Sequence, residues 1–147
     1  MEYNELIADF AARHDIANLV NVDRAASLDI DGIIVTLVDN DGTLVMSAEI
    51  GEPPSDGGAA FADILLEANL QSGAYFAKAP ENGPYLVVRR MSLAEADGAA
   101  FDSALESFVN TAEMWRRMLA DFRPAVQAAM QAKAEEPEFG EKGFLHV

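Results

Sequence analysis

The chain has 147 residues, half of them hydrophobic, and its 10 Lys and Arg against 25 Asp and Glu give a formal net charge of −15 at pH 7. This length suits one domain with a sizeable buried core, and the apolar fraction argues against a disordered acidic chain. The absence of cysteine excludes disulfides, zinc–thiolate sites and thiol nucleophiles, and the acidic charge argues against DNA, RNA or an anionic membrane as partner, since each binds cationic surfaces.

The charge is divided unevenly along the chain. Residues 1–77 carry 14 acidic residues and two arginines, a net charge of −12, whereas residues 78–147 carry a net charge of −3. A partner guided by charge should therefore meet the N-terminal half with basic residues. The doublets Arg89-Arg90 and Arg116-Arg117 are predicted to pair with acidic side chains. The first turn is acidic and no apolar run is long enough to span a bilayer, so we expect a soluble protein of the cytoplasm.

The N-terminal third predicts a helix followed by an antiparallel β-meander. Apolar residues recur at helical spacing over 2–14, which indicates an amphipathic helix. Three strand-like blocks then occupy 26–50, where two blocks of alternating apolar and polar residues flank a β-branched block at 33–38. Asp31-Gly32 and Asn40-Asp41-Gly42 separate the blocks, and Asp-Gly between apolar runs is a strong hairpin signal.

A middle helix with two apolar stripes is predicted next. Pro53-Pro54 ends the third strand, and Ser55 or Asp56 can cap a helix that runs to about Gln71. Two apolar stripes lie roughly 100° apart on its helical wheel. The second of them consists of Ala62, Leu66, Asn69 and Leu70. A helix that is apolar on two sides usually has two partners, here the sheet and either a second chain or the C-terminal tail.

A second hairpin over 74–91 and a long helix from about Glu95 complete the predicted fold, with Pro124 kinking or ending the helix. The element order is α-β-β-β-α-β-β-α. It predicts a two-layer α+β fold in which an antiparallel sheet carries helices on one face. We expect one domain over 1–123 and an acidic, flexible tail over 124–147.

The residues offer no catalytic, metal-binding or cofactor-binding set. The 39–42 segment (DNDG) is similar in composition to a calcium-binding loop. Apolar residues occupy the positions of the first and twelfth ligands, however, so a hairpin turn is predicted instead. Asp29 and Asp31 could act as acid and base in a hydrolase, yet no histidine or basic residue lies near them to orient either group. His14 and His146 each lack a second ligand at usable spacing. We therefore expect a non-catalytic protein without a cofactor.

Four short segments stand out along this scaffold. They are IGEP (50–53), LLEANL (65–70), LVVRRMSL (86–93) and FVNTAEMWR (108–116). Together, and in this order, they resemble the class I type III secretion chaperones, the Tir chaperone family. The resemblance extends from about residue 3 to residue 122.

The resemblance implies a homodimeric cytoplasmic chaperone without ATPase activity. Members of the family hold an N-terminal segment of a secreted effector in an extended form around the dimer until the secretion ATPase accepts it. The middle helix commonly forms the dimer interface, which would give the stripe of Ala62, Leu66, Asn69 and Leu70 a partner. The alternative is that this stripe packs inside the monomer.

Effector binding is expected on sheet edges and exposed apolar patches. If helices cover one face only, the other face exposes a patch that we predict to bind the effector, made of Ile34, Thr36, Val38 and Val45. The alternative is that another element covers this patch. Because one fold can serve several functions, the alternative function is a small regulatory or adaptor domain that binds a folded partner outside secretion.

Overall fold

The computed structural model describes residues 1–17, 19–70 and 73–123, so the predicted tail over 124–147 lies outside the described residues. The elements in chain order are α1 (Tyr3–Arg13), β1 (Asn21–Val22), β2 (Ala25–Ile30), β3 (Ile33–Asn40), β4 (Thr43–Gly51), α2 (Gly58–Ala68), β5 (Tyr75–Lys78), β6 (Tyr85–Ser92), a short 3-10 turn (Leu93–Glu95) and α3 (Gly98–Ala120). The predicted α+β architecture is confirmed, with one additional strand, β1.

Two Asp-Gly turns form the predicted meander of β2, β3 and β4. Both residues of Asp31-Gly32 and of Asp41-Gly42 adopt positive φ angles, between 52° and 91°. This conformation twists the turn in the same sense as the strands that it joins. Asp29 and Asp39 each accept a hydrogen bond through Oδ1 from the backbone N–H of the turn glycine, at 2.9 Å. These carboxylates therefore stabilise hairpins, as predicted for the 39–42 segment.

The strands form one antiparallel sheet in the order β1-β2-β3-β4-β6-β5. Strand β1 pairs with Ala25 and Ala26 of β2 across a turn made by Asp23 and Arg24, whose φ angles are 52° and 60°. The sequence does not predict this strand because the turn contains no glycine. A hydrogen bond from Nη1 of Arg24 to Oδ2 of Asp39, at 3.0 Å, stabilises the left-handed backbone of this turn.

The helices pack on one face of the sheet, as predicted. A cluster of aromatic rings joins α2, α3, β5 and β6. The ring centroids of Phe76 and Trp115 are 4.8 Å apart, and those of Phe61 and Tyr85 are 5.7 Å apart. Edge-to-face and tilted ring pairs of this kind add to the free energy gained from burying apolar area. The hydrophobic core therefore lies between the helices and this inner face of the sheet.

Both of the later helices begin after their predicted starts. Helix α2 begins at Gly58 with Gly57 as its N-cap, and neither Ser55 nor Asp56 caps it. Helix α3 begins at Gly98 because the 3-10 turn occupies the residues near Glu95. Its N-cap is Asp97, whose Oδ1 accepts a hydrogen bond from the backbone N–H of the third helical residue at 2.7 Å.

Gly51, in the IGEP segment, allows α3 to approach the end of β4. Its φ of +147° lies in a region that residues with a side chain rarely adopt, and a Cβ atom there would be 2.9 Å from Cδ2 of Leu119. The pairing of β4 with β6 is also irregular between Glu49 and Gly51. A glycine is thus required where the strand bends beneath the helix.

An ion-pair cluster connects α1 to α3. Arg13 donates from Nε to Asp9 at 2.8 Å and from both Nη atoms to the carboxylate of Asp102. Nε2 of His14 lies 3.2 Å from Oδ2 of Asp102. The hydrogen bonds from the Arg13 guanidinium lower the pKa of Asp102 below its ordinary value of 3.8, against a smaller opposing effect of burial. The carboxylate is therefore favoured in its charged form by the folded state.

We predict that Asp102→Asn lowers the urea midpoint at pH 7 and that the difference from the native protein shrinks as the pH falls below about 4. The sign follows because the folded state lowers the pKa of this carboxyl group. Its stabilising effect is complete above the unfolded pKa and is lost as the pH falls through the folded one. Urea unfolding from pH 7 to pH 3 measures this. Glu106→Gln, on the exposed side of α3, is the control, and a midpoint difference that does not change with pH would contradict the prediction.

Candidate functional site: the outer face of the sheet

The face of the sheet that points away from the helices, here called the outer face, carries the predicted effector-binding residues. The strand register aligns Val38 with Val45, and Thr36 with both Ser27 and Ser47. Ile34 and Val38 have 53% and 37% of their surface exposed, although both are large aliphatic side chains. Thr36 and Val45 are half-buried between them. All four predicted residues thus lie on one continuous surface, and no described element covers Ile34 or Val38.

Strand β1 enlarges this apolar surface beyond the prediction. Val22 pairs with Ala25, which pairs with Val38, so the three side chains lie in one row across the sheet. Val20 and Val22 are 66% and 60% exposed. The alternation of valine with asparagine over 20–22 is the sequence signal that could have identified this strand.

A cavity of about 410 Å³ opens where β3 and β4 separate. Their pairing ends at Val35 and Ala48, although β3 begins at Ile33 and β4 continues to Gly51. The cavity is lined by aliphatic, hydroxyl and charged side chains, among them Ile34, Thr36, Ser47, Glu49, Leu86 and Arg116. Nη1 of Arg116 donates to the carbonyl oxygen of Gly32 at 3.3 Å. This cavity has room for an apolar side chain of a bound segment.

The two edges of the sheet differ in how far they are covered. In the β2–β3 hairpin Ile30 pairs with Ile33, so by the alternation of antiparallel ladders Ser27 and Asp29 direct their backbone groups towards the edge. Among the described residues, β1 pairs with β2 only at Ala25 and Ala26. Within the described ranges, these backbone groups of β2 beyond Ala26 have no ladder partner, which is the feature that an added strand requires.

At the opposite edge, the side chain of Asn69 blocks part of the backbone of β5. Its Oδ1 accepts a hydrogen bond from the backbone N–H of Phe76 at 2.7 Å. Asn69 belongs to the predicted interface stripe, and the sequence pattern does not predict this contact. The contact fixes the end of α2 against the sheet and occupies a donor that an added strand would need.

A second exposed apolar surface lies on α2 and just beyond its end. Leu66 and Leu70, of the predicted dimer stripe, are 64% and 89% exposed, whereas Ala62 and Asn69 are half-buried. On α3, Met114 is 46% exposed. Apart from Met1, the exposed large apolar residues of the described chain therefore divide into two groups, one on the outer face and the segment that leads into it, and one at the helices.

The described residues hold no constellation typical of catalysis or metal binding. No group of three or more His, Asp or Glu side chains among them could hold a metal ion. The carboxylate of Asp29 accepts a hydrogen bond from the backbone of its turn. His14 lies at the end of α1, and the centroid of its ring is 4.5 Å from that of Phe10. No helix within the described ranges is long and apolar enough to cross a membrane. The outer face and, separately, the exposed leucines at α2 are thus the candidate sites.

Solved structures share this fold. The HopA1–SchA chaperone–effector complex matches over 78% of this chain and 93% of the other, with a TM-score of 0.66 and 16% identity. SycH, a type III secretion chaperone of Yersinia pestis solved with a stable fragment of YscM2, matches over 78% of this chain and 99% of its own, with a TM-score of 0.62 and 21% identity. YbjN, a proposed transcription regulator from E. coli, matches over 80% and 91%, with a TM-score of 0.61 and 16% identity.

These identities are too low for the structural similarity to show more than a common fold. No curated protein matches the sequence significantly. The family model of the Tir chaperone proteins (CesT) matches residues 5–116, which is most of the chain and includes both apolar surfaces. The protein therefore belongs to the Tir chaperone protein (CesT) family.

Proposed function

We propose that this protein is a cytoplasmic type III secretion chaperone that binds the extended N-terminal segment of an effector and keeps it competent for secretion. The observation that carries the proposal is the outer face, where Val20, Val22, Ile34 and Val38 are exposed together. Solvent-exposed aliphatic side chains that form one surface typically mark a binding site. Membership of the family and the absence of a catalytic set among the described residues support binding without turnover.

An extended effector segment has two kinds of contact available. Its backbone can pair with β2 beyond Ala26, where Ser27 and Asp29 direct their backbone groups outwards. Its apolar side chains can cover Ile34 and Val38 and enter the cavity beside Leu86. Burying one large aliphatic side chain fully contributes about 1.5–3 kcal/mol, so a few such contacts and one strand are sufficient for stable binding.

The acidic charge supports the same proposal. Residues 1–77 include the meander and carry a net charge of −12. Repulsion between molecules of like charge keeps a protein with an exposed apolar sheet from associating with copies of itself. The same charge favours effector segments with basic residues.

We predict that Ile34→Glu weakens the capture of an effector segment by about tenfold or more, because a carboxylate on the apolar surface must be desolvated on binding. The measurement is co-purification, followed by titration, with tagged N-terminal segments of candidate effectors. Met114→Glu is the matched control, since Met114 is similarly exposed but lies on α3. Equal loss in both variants, or capture of no segment by the native protein, would argue against the proposal.

We also propose that the protein is a homodimer through the α2 stripe. Leu66 and Leu70 support this proposal, since they are the most exposed large apolar residues of that helix region. Two copies that bring these leucines together would remove them from water, and apolar residues at the centre of an interface dominate its stability. Asn69 lies beside them and stays bound to the backbone of β5.

Leu66→Glu is expected to convert the dimer to a monomer, because two like charges would then meet at a buried contact. Light scattering coupled to size-exclusion chromatography measures the mass. Ala60→Glu places the same charge on the same helix, at an exposed position outside the stripe, and should leave the dimer intact. A dimer that survives Leu66→Glu would exclude this interface.

The alternative function is a regulatory or adaptor domain that binds a folded partner. It is supported by the similarity of the fold to that of YbjN, a proposed transcription regulator. The two functions differ in what can compete for the binding surface. A short unstructured effector peptide should displace the partner of a chaperone, because both occupy the outer face and the edge of β2. It should leave an adaptor complex unchanged. Competition measured by fluorescence anisotropy, with a sequence-scrambled peptide as control, separates the two functions.

A further inference from the structure

The outer face is polarised, with a free carboxylate towards one end and a free guanidinium towards the other. Glu49 and Arg90 are both exposed. In the part of the chain that the structure describes, neither side chain has a hydrogen-bond or ion-pair partner. The acidic partner predicted for Arg90 is thus not found among the described residues, although the chain has 25 acidic residues.

Arg90 is held in place by an aromatic ring instead of a carboxylate. Its guanidinium carbon lies 5.5 Å from the centroid of the Tyr75 ring on the neighbouring strand. A guanidinium over an aromatic face is attracted to the ring and retains its N–H donors for other acceptors. Those donors match the two oxygens of a carboxylate, so Arg90 is prepared to bind an acidic side chain.

The strand register fixes the relative positions of the two residues on the sheet. Arg90 pairs with Val45, and Glu49 lies four residues further along β4 on the same face. At about 3.3 Å per residue, their Cα atoms are separated by roughly 13 Å along the strands and, because they are on neighbouring strands, by about 4.8 Å across them. The floor between the charges is formed by Ser47 and Val88, which pair with each other. Val88 has only 9% of its surface exposed and Ser47 is half-buried, so this floor carries no charged group and Ser47 forms most of its accessible surface.

We propose that the outer face selects client segments by a charge pattern. An extended segment would place a basic residue at Glu49, an apolar residue over Ser47 and Val88, and an acidic residue at Arg90, with the two charged residues four positions apart. Residues two positions apart on an extended chain point the same way, so all three side chains would face the sheet. This inference rests on the proposed function and adds to it a recognition rule that net charge alone does not give.

Three seven-residue peptides test the rule. Each has a central isoleucine, threonines on either side of it, and charged residues two positions before and after it. The mixed peptide carries a lysine and an aspartate, the basic peptide two lysines and the acidic peptide two aspartates. Chemical shifts of the isotope-labelled protein, titrated at about 0.15 M salt, give each dissociation constant and the residues that are contacted. At this ionic strength charge effects beyond about 8 Å are largely screened.

The native protein is expected to bind the mixed peptide about threefold more tightly than the basic one, in line with one exposed ion pair. This result would be informative because a net charge of −15 by itself favours the basic peptide. Arg90→Glu should reverse the order of the two peptides. Arg89→Glu is the matched control, since it changes the net charge equally but precedes Arg90 on the strand and so points to the opposite face.

Three results would overturn the inference. They are tighter binding of the basic peptide by the native protein, equal effects of the two arginine variants, and no shift changes on the outer face with any peptide. If any of these results is obtained while Ile34→Glu still weakens effector capture, the charge rule is refuted and the proposed chaperone function is retained. If capture fails as well, the proposed function itself fails.

Discussion

The helices cover one face of a six-stranded antiparallel sheet, and the described residues leave the other face open to solvent. Strand β3 carries aliphatic residues on both of its sides. Helices on one face of the sheet therefore cover only half of them. Val35 and Leu37 are fully buried against the helices, while Ile34 and Val38 are exposed on the outer face. A strand that is apolar on both sides needs two apolar partners, and the described residues supply one of them.

The proposed functions follow from this one-sided burial. The outer face, the open part of the β2 edge and the cavity between β3 and β4 all lie on the part of the sheet where the helices are absent or the strands separate. The exposed leucines at α2 form a second surface, away from the first. Binding of a client and association of two copies can therefore use different surfaces and need not compete.

Charge and apolarity act in opposite directions on the same face. The apolar residues favour association with any extended chain, whereas the net charge of −12 over residues 1–77 opposes association with copies of the same protein. Arg90 is a positive charge on this acidic protein. Its guanidinium lies over the Tyr75 ring and has no carboxylate partner in the described chain.

The sequence by itself determined the α+β class, the hairpins at Asp31-Gly32 and Asp41-Gly42, the side of β3 that carries Ile34 and Val38, and the family. These follow from turn chemistry and periodicity, which act over a few neighbouring residues. Only the tertiary structure decided that no described element covers Ile34, that Asn69 binds the backbone of β5, and that Arg90 has no acidic partner among the described residues. Each of these depends on which residues distant in the chain come to lie beside the group, and local sequence patterns carry no information about that.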